Sequence, residues 1–273
     1  MIPVCGDLHN HTDFCDGLCK PAQMAKAAYE KGFTDFGFSG HSHADFDLPC
    51  SVRDVEGYLA EIHRLQQEYA GKMRIYCGTE QDFHAPVPDR SRYDYIIGGT
   101  HYFLADDGAY YPIDGTEEDN IQCIRRMFGG DGYGFCRLFY QQVMENILAY
   151  KPDLVAHFDL VVKNNRGDRF FDEDSRKYRG YAMEALEIGL ENDMIFELNT
   201  GGMFRGYRPM PYPAPFILKE ILRAGGRVAL SSDAHQTEAI GFRFAESLTL
   251  LREIGFSSVW QWEDGKFIEK GIR

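Results

Sequence analysis

The chain has 273 residues, room for two domains of about 150 residues or for one large α/β barrel. Its 42 Asp and Glu outnumber 29 Lys and Arg, giving a net charge of −13 that opposes binding to a nucleic-acid backbone. A composition of 44% hydrophobic and 26% charged residues excludes a disordered chain, and no stretch approaches the ~20 apolar residues of a membrane span.

The elements are expected to alternate. Ile2 to Cys5 reads as a strand, and Pro21 to Lys31 as a helix with proline in its first turn and Gly32 as its stop. Asp35 to Ser39 is a second strand. Ser51 with Asp54 three residues later resembles a cap opening a helix through about Tyr69. Strands follow at Arg74 to Gly78 and Tyr93 to Ile97, then a helix-rich stretch from Glu117 to Tyr150. Leu154 to His157, Met194 to Leu198 and Arg227 to Leu230 are further strands. Helices at about Arg176–Glu191, Pro215–Ala224 and Phe242–Glu253 separate or follow them, and Ser258 to Trp262 is a last strand. Alternation of this kind means parallel strands with crossover helices. Segments 102–116 and 199–213 are rich in Gly, Tyr and Pro and read as functional loops. With no linker composition, the expectation is a single domain over 1–273.

The opening MIPVCGDLHNHT lacks a basic region followed by an apolar run, so no signal peptide is expected. Seven cysteines, odd in number and never spaced CxxC, speak against a disulfide framework or a ribbon zinc site. Cys15 and Cys19 lie near a histidine cluster, but buried thiols in a reducing cytoplasm are the expected state.

Nearly every strand ends in a metal-ligand side chain. The run is Asp7-Leu8-His9-Asn10-His11 with Asp16 beyond, then His41 and His43, Glu80, His101, His157 with Asp159, Glu197, and Asp233-Ala234-His235. In a barrel of parallel strands the carboxyl ends share one mouth, so residues distant in sequence converge there. Histidines two apart on an extended strand share a face and can chelate one ion, and Asp233 with His235 offers the same geometry. A carboxylate at Glu80 can bridge two ions. Mixed histidine and carboxylate donors suit Zn²⁺, Fe²⁺ or Mn²⁺. One HxH alone is weak, whereas a series of strand-end histidines is not. His63 lies within a helix and reads as a solvated face. His84 stays open between structural and functional roles.

These motifs, from Asp7-Leu8-His9-Asn10-His11-Thr12 through Gly78-Thr79-Glu80, Gly98-Gly99-Thr100-His101, Ala156-His157-Phe158-Asp159, Glu197-Leu198-Asn199 and Ser231-Ser232-Asp233-Ala234-His235, resemble those of the PHP (polymerase and histidinol phosphatase) superfamily. The resemblance runs from about residue 4 to 260 and is strongest toward the monofunctional histidinol-phosphate phosphatases. It implies a distorted (β/α)7 TIM-like barrel with two or three divalent metal ions. It assigns His9, His11, Glu80 and Asp233 to one ion; Glu80, His101 and His157 to a second; and Asp16, His41 and His235 to a third. Gly40 stands where the family commonly has Asp, which leaves His41 and His43 both open as the ligand. Phe158 replaces a common proline in the fifth motif.

The implied activity is a phosphomonoesterase hydrolysing L-histidinol phosphate, by in-line attack of a metal-bridging hydroxide without a phosphoenzyme. Other small phosphate esters are the alternative substrates, and a non-catalytic metal-binding PHP module is the alternative from another class. An amidohydrolase barrel shares HxH and a late Asp, but Glu80 occupies the position of its bridging lysine. Asp233 is expected to be catalytic as well as a ligand. A phosphate in so acidic a chain needs extra cations. Arg166 or Arg169 after the fifth strand and Arg205 or Arg208 after the sixth are candidates, with Arg166 and Arg205 the best matches to the family. His43 is a candidate substrate contact and general acid, since an imidazole titrates near the working pH. Tyr102, Phe103, Tyr110 and Tyr111 are candidates to receive the cationic amine and imidazole. No nucleic-acid or membrane partner is expected, and the oligomeric state stays open.

Overall fold

A computed structural model describes residues 5–272. In chain order the elements are β1 (Gly6–Asp7), α1 (Pro21–Glu30), β2 (Asp35–Phe38), α2 (Val55–Glu68), β3 (Arg74–Asp82), β4 (Tyr95–Gly99), β5 (Tyr102–Leu104) and β6 (Tyr110–Pro112). There follow α3 (Glu117–Phe128), α4 (Gly132–Tyr150), β7 (Leu154–Val155), α5 (Arg176–Glu191), β8 (Ile195–Asn199) and α6 (Gly201–Phe204). The chain ends with α7 (Pro215–Arg223), β9 (Arg227–Ser231), α8 (Phe244–Ile254), β10 (Ser258–Glu263) and β11 (Lys266–Gly271). Of the expected strand Ile2 to Cys5, the first three residues lie outside the described residues, and the observed strand follows it.

Seven strands pair in the order β1-β2-β3-β4-β7-β8-β9, every pairing parallel. The two edges meet beyond β1 and β9, where Asn10 bridges Ala234 and the His11 N–H donates to the Ala234 carbonyl at 2.8 Å. The sheet thus becomes a (β/α)7 TIM-like barrel. Strands covered by helices outside and filled by side chains inside leave no solvent face, and β2, β4, β7 and β8 are accordingly buried at every position.

Local sequence sets the helix limits. Pro21 opens α1, and Gly32 at φ +85 follows its end. Asp54, not Ser51, caps α2, accepting from the Gly57 N–H; the Ser51 hydroxyl donates to the Ala44 carbonyl instead. The helix-rich stretch divides at Gly129, which takes a left-handed φ of +61, and Asp131 caps the second helix. Such caps each contribute about 1 kcal/mol.

Three departures lie outside the barrel strands. The segment expected as a loop at 102–116 contains the β5–β6 antiparallel hairpin. The start of segment 199–213 forms α6. The final strand is not a barrel member: β10 pairs antiparallel with β11, and Trp262 packs on Tyr76 and Tyr95 near the barrel's amino-terminal end. Among the described residues no helix is long and apolar enough to cross a membrane.

Candidate metal centre

The carboxyl ends of the seven strands bring His9, His11, Asp16, His41, Glu80, His101, His157, Asp233 and His235 into one mouth. Glu80, at the end half of β3 and buried, is the hub. Its Oε2 lies 3.0 Å from His9 Nε2, 3.4 Å from His11 Nε2 and 3.1 Å from His41 Nδ1. Its Oε1 lies 2.9 Å from His157 Nε2 and 3.1 Å from His101 Nε2. Asp233 Oδ1 stands 3.7 Å from His9 Nε2 and 3.5 Å from His11 Nε2. Asp16 gathers His11, His41 and His235 at 3.5, 3.7 and 3.1 Å.

Four overlapping groups have ligand atoms within 4.8 Å of one another: His11, Asp16, His41 and His235; His9, His11 and Glu80; His9, His157 and Asp233; and His41, Glu80 and His101. The nine residues are those expected, but their grouping is less separate than the assignment to three ions. His11 belongs to two groups, and His41 and His157 each stand with residues assigned to another ion. His9 Nε2, His11 Nε2 and Asp16 Oδ1 are buried without a hydrogen-bond partner. Lone-pair-bearing atoms aimed at one another in this way fit divalent cations, which satisfy them all together.

The electrostatics follow from crowding opposite charges. Burial opposes ionisation of Glu80, but His9, His101 and His41 outweigh it and hold the carboxyl well below its usual range. Asp233 is likewise held low, against burial, by Arg205, His9 and His235. Burial, then the neighbouring His235 and His41, push His11 down to about 3, so its ring is neutral and its lone pair available. His9 goes the other way: burial opposes its charge, but Glu197, Glu80 and Asp233 raise it well above the ordinary value. Asp233 also adopts a left-handed φ of +49, a conformation that Asp tolerates better than most side chains.

A second layer orients these rings. Glu197 Oε1 is 2.5 Å from His9 Nδ1, and its Oε2 accepts from the His157 N–H at 2.7 Å and from the Asn199 amide at 2.8 Å. Asp82 Oδ2 lies 3.2 Å from His101 Nδ1 and accepts the His101 N–H at 2.8 Å. Glu197 carries no expected role beyond its motif, and Asp82 carries none at all. For Glu197 the available signal was a carboxylate in the middle of a strand buried at every position, Ile195–Asn199.

Above the cluster opens a cavity of about 390 Å³. Arg205 reaches it from the end of α6, donating to Asp233 Oδ2 at 2.7 Å and lying 2.9 Å from His235 Nδ1. The arginines expected elsewhere are not there. Arg166 is exposed and does not line the cavity, Arg169 pairs with Glu117 at 3.0 Å, and Arg208 grips Glu173 at 2.7 and 2.9 Å. The cation that lines the mouth from the loop after β7 is Lys163, lying over the Tyr207 ring at 4.5 Å with its ammonium donating to the Asp114 carbonyl.

His43 is also placed apart. Its side chain is 40% exposed, with Nδ1 2.9 Å from the Val52 carbonyl and Nε2 3.3 Å from Asp45, in a separate cleft beside Arg53 and Tyr93. His41, at 19%, is the histidine that faces Asp16 and Glu80. Of the four aromatics, only Tyr102 lines the mouth, donating to Asp47. Phe103 packs on Phe128 and Phe135 in the core, Tyr110 stacks on Phe46 and Tyr111 packs against the core. His84 lies 2.9 Å from Gln142 outside the cluster, and Cys15 is held as a thiol, burial pushing it up to about 12.

The PHP domain pattern matches residues 7–201, 195 of the 273 residues. The chain belongs to the PHP family. This PHP chain is 30% identical over 271 residues to the probable histidinol-phosphatase of Deinococcus radiodurans, across 95% of this chain and 96% of that one. It is 27% identical to the histidinol-phosphatase of Bacillus subtilis, across 87% and 96%. A putative histidinol phosphatase of Listeria monocytogenes superposes with a TM-score of 0.73 at 22% identity, over 88% of this chain and 99% of that one. The histidinol phosphate phosphatase of Lactococcus lactis, solved with Zn, L-histidinol and phosphate, superposes with a TM-score of 0.68 at 20% identity, over 96% and 98%. Both likenesses carry the barrel fold.

Proposed function

We propose that this PHP chain is a metal-dependent phosphomonoesterase that hydrolyses L-histidinol phosphate to L-histidinol and phosphate, in the cytoplasm and as one unit over 1–273. The observation that carries the reading is the convergence of nine ligand-type side chains with Arg205 and Lys163 in one mouth. The full-length likeness to named histidinol-phosphatases supports the substrate, and the Zn, histidinol and phosphate bound to the Lactococcus protein support its chemistry. The unpaired thiols of Cys15, Cys19, Cys50, Cys77, Cys123 and Cys136 support a reducing compartment.

His9, His11, Asp16, His41, Glu80, His101, His157, Asp233 and His235 would hold two or three divalent ions, with Zn, Fe and Mn all suited to a nitrogen and oxygen donor set. Such ions supply Lewis acidity, which activates water near neutral pH and neutralises phosphate oxygens. The remaining work falls to the protein. Arg205 places a guanidinium beside Asp233, where a phosphate above the cluster meets its N–H groups. Lys163 supplies a second positive charge to the cavity wall and takes the place foreseen for Arg166. Asp233 orients Arg205 while it faces His9 and His11. Glu197 and Asp82 fix the ring orientations of His9 and His101, so that their lone pairs stay aimed inward. The carboxylates of Asp47 and Asp114 on the outer wall suit the substrate's cationic amine.

The test is metal analysis of the purified protein with a parallel assay on L-histidinol phosphate and a panel of small phosphate esters. Bound divalent metal and the highest kcat/KM on histidinol phosphate are expected. Preference for another ester would move the substrate, and absence of both metal and turnover would overturn the reading.

A further inference from the structure

One polar group in the mouth has no role in the arrangement above. Tyr212 is only 2% exposed, lines the cavity together with Arg205, and its hydroxyl is buried without a hydrogen-bond partner. Its position is built rather than incidental. The Tyr212 backbone is tied to the end of β8 by two hydrogen bonds, Asn199 N–H to the Tyr212 carbonyl at 2.7 Å and Tyr212 N–H to the Asn199 carbonyl at 3.0 Å. The ring lies against Gly202, where a Cβ would come within 2.6 Å of it and within 3.0 Å of its oxygen. Burial pushes the phenol well above its usual range, so it keeps its proton at any working pH and can only be a donor or a neutral acceptor. A buried donor left unpaired is costly, and a ligand oxygen entering the mouth would relieve that cost.

We propose that the Tyr212 hydroxyl donates a hydrogen bond to a phosphoryl oxygen of the bound substrate, beside the Arg205 guanidinium. This deepens the phosphomonoesterase reading and rests on it. No proton changes owner in the step: the phenol remains protonated and stabilises charge on the phosphoryl group. Since the contact is to the phosphoryl group, it does not depend on the rest of the ester.

The rival partner is Asp159 Oδ1, another buried oxygen without a hydrogen bond and one whose charge acts on Tyr212. Tyr212→Phe in the metal-loaded full chain separates the two, because it keeps the ring and removes only the hydroxyl. The measurements are affinity for inorganic phosphate, kcat/KM on histidinol phosphate and on the phosphate monoester of an uncharged alcohol, metal content and Tm. Phosphate affinity is expected to weaken by about 5- to 100-fold, with a like fall in kcat/KM on both esters and with metal content and Tm held. Unchanged phosphate affinity overturns the proposal, and a lowered Tm with unchanged affinity assigns the hydroxyl to Asp159. If the wild-type protein hydrolyses no phosphate ester, the functional reading fails, while the phosphate affinities of the two proteins still decide the role of Tyr212.

Discussion

Glu197 holds His9 through a 2.5 Å contact between its Oε1 and His9 Nδ1, while its other oxygen takes the backbone N–H of His157. One buried carboxylate on β8 thereby positions side chains delivered by β1 and β7. Burial opposes its ionisation, but His9 outweighs this and keeps it charged. Glu197→Gln preserves the shape and removes the charge that makes His9 Nε2 a better donor to a cation. Metal affinity is expected to fall by about 10- to 100-fold, as orienting partners of metal ligands usually contribute that much. Titration against a competing chelator measures it, and wild-type affinity in the variant would remove Glu197 from the site.

Arg205 pairs with Asp233 at 2.7 Å and, among the described residues, is the arginine that lines the mouth. Arg205→Lys retains one positive charge but loses the planar fork that matches phosphate oxygens. The expected outcome is a loss of roughly 10²–10³ in kcat/KM with metal content preserved, the size associated with one donor to developing oxyanion charge. Steady-state kinetics beside metal analysis checks this, and the prediction fails if lysine sustains wild-type turnover.

The barrel and the convergence of its strand-end histidines and carboxylates were legible because both depend on short-range patterns. A strand end carrying His9 and His11 at period two needs only an extended backbone to aim both rings at one point, and the same holds for Asp233 and His235. The cations were less legible because loop direction is set by packing. After the turn at Leu160–Val162, Lys163 lies over Tyr207 in the mouth, whereas Arg166 three residues later faces solvent. His41 and His43 also share a period of two, yet only the first stays beside β3, through its bridge to Glu80. The chain bends away after Ser42, whose N–H donates to the Glu80 carbonyl. The three-residue strands of the β5–β6 hairpin are too short to leave a periodic trace.

Inside the barrel, the Tyr95 ring lies against Gly78, where a Cβ would fall 2.3 Å from the ring, and its hydroxyl reaches the carbonyls of Leu8 and Phe38. One side chain of β4 thus ties β1 to β2 across the interior. Gly78→Ala is expected to destabilise by at least about 1–3 kcal/mol through overpacking. Tyr95→Phe should cost about 1 kcal/mol through the lost hydrogen bond. Urea midpoints with an unchanged m-value measure both. A Gly78→Ala variant as stable as wild type would mean that the ring moves aside freely.

His84 contributes to the pH dependence of stability from outside the histidine and carboxylate cluster. His84 Nε2 lies 2.9 Å from the Gln142 amide nitrogen, which donates to the unprotonated ring. Burial lowers the His84 pKa below 6.5, while the charges of Asp82 and Glu145 act in the opposite sense without cancelling it. Between the folded value and 6.5 the unfolded chain therefore binds more protons than the folded one, and stability rises with pH across that window. The contribution is complete above 6.5 and is lost as pH falls below it. His84→Gln removes the titrating group, so the fall in urea midpoint from about pH 7.5 to about pH 5 should be smaller in the variant than in wild type. Parallel falls in the two proteins would show that His84 is solvated as freely in the fold as in the unfolded chain.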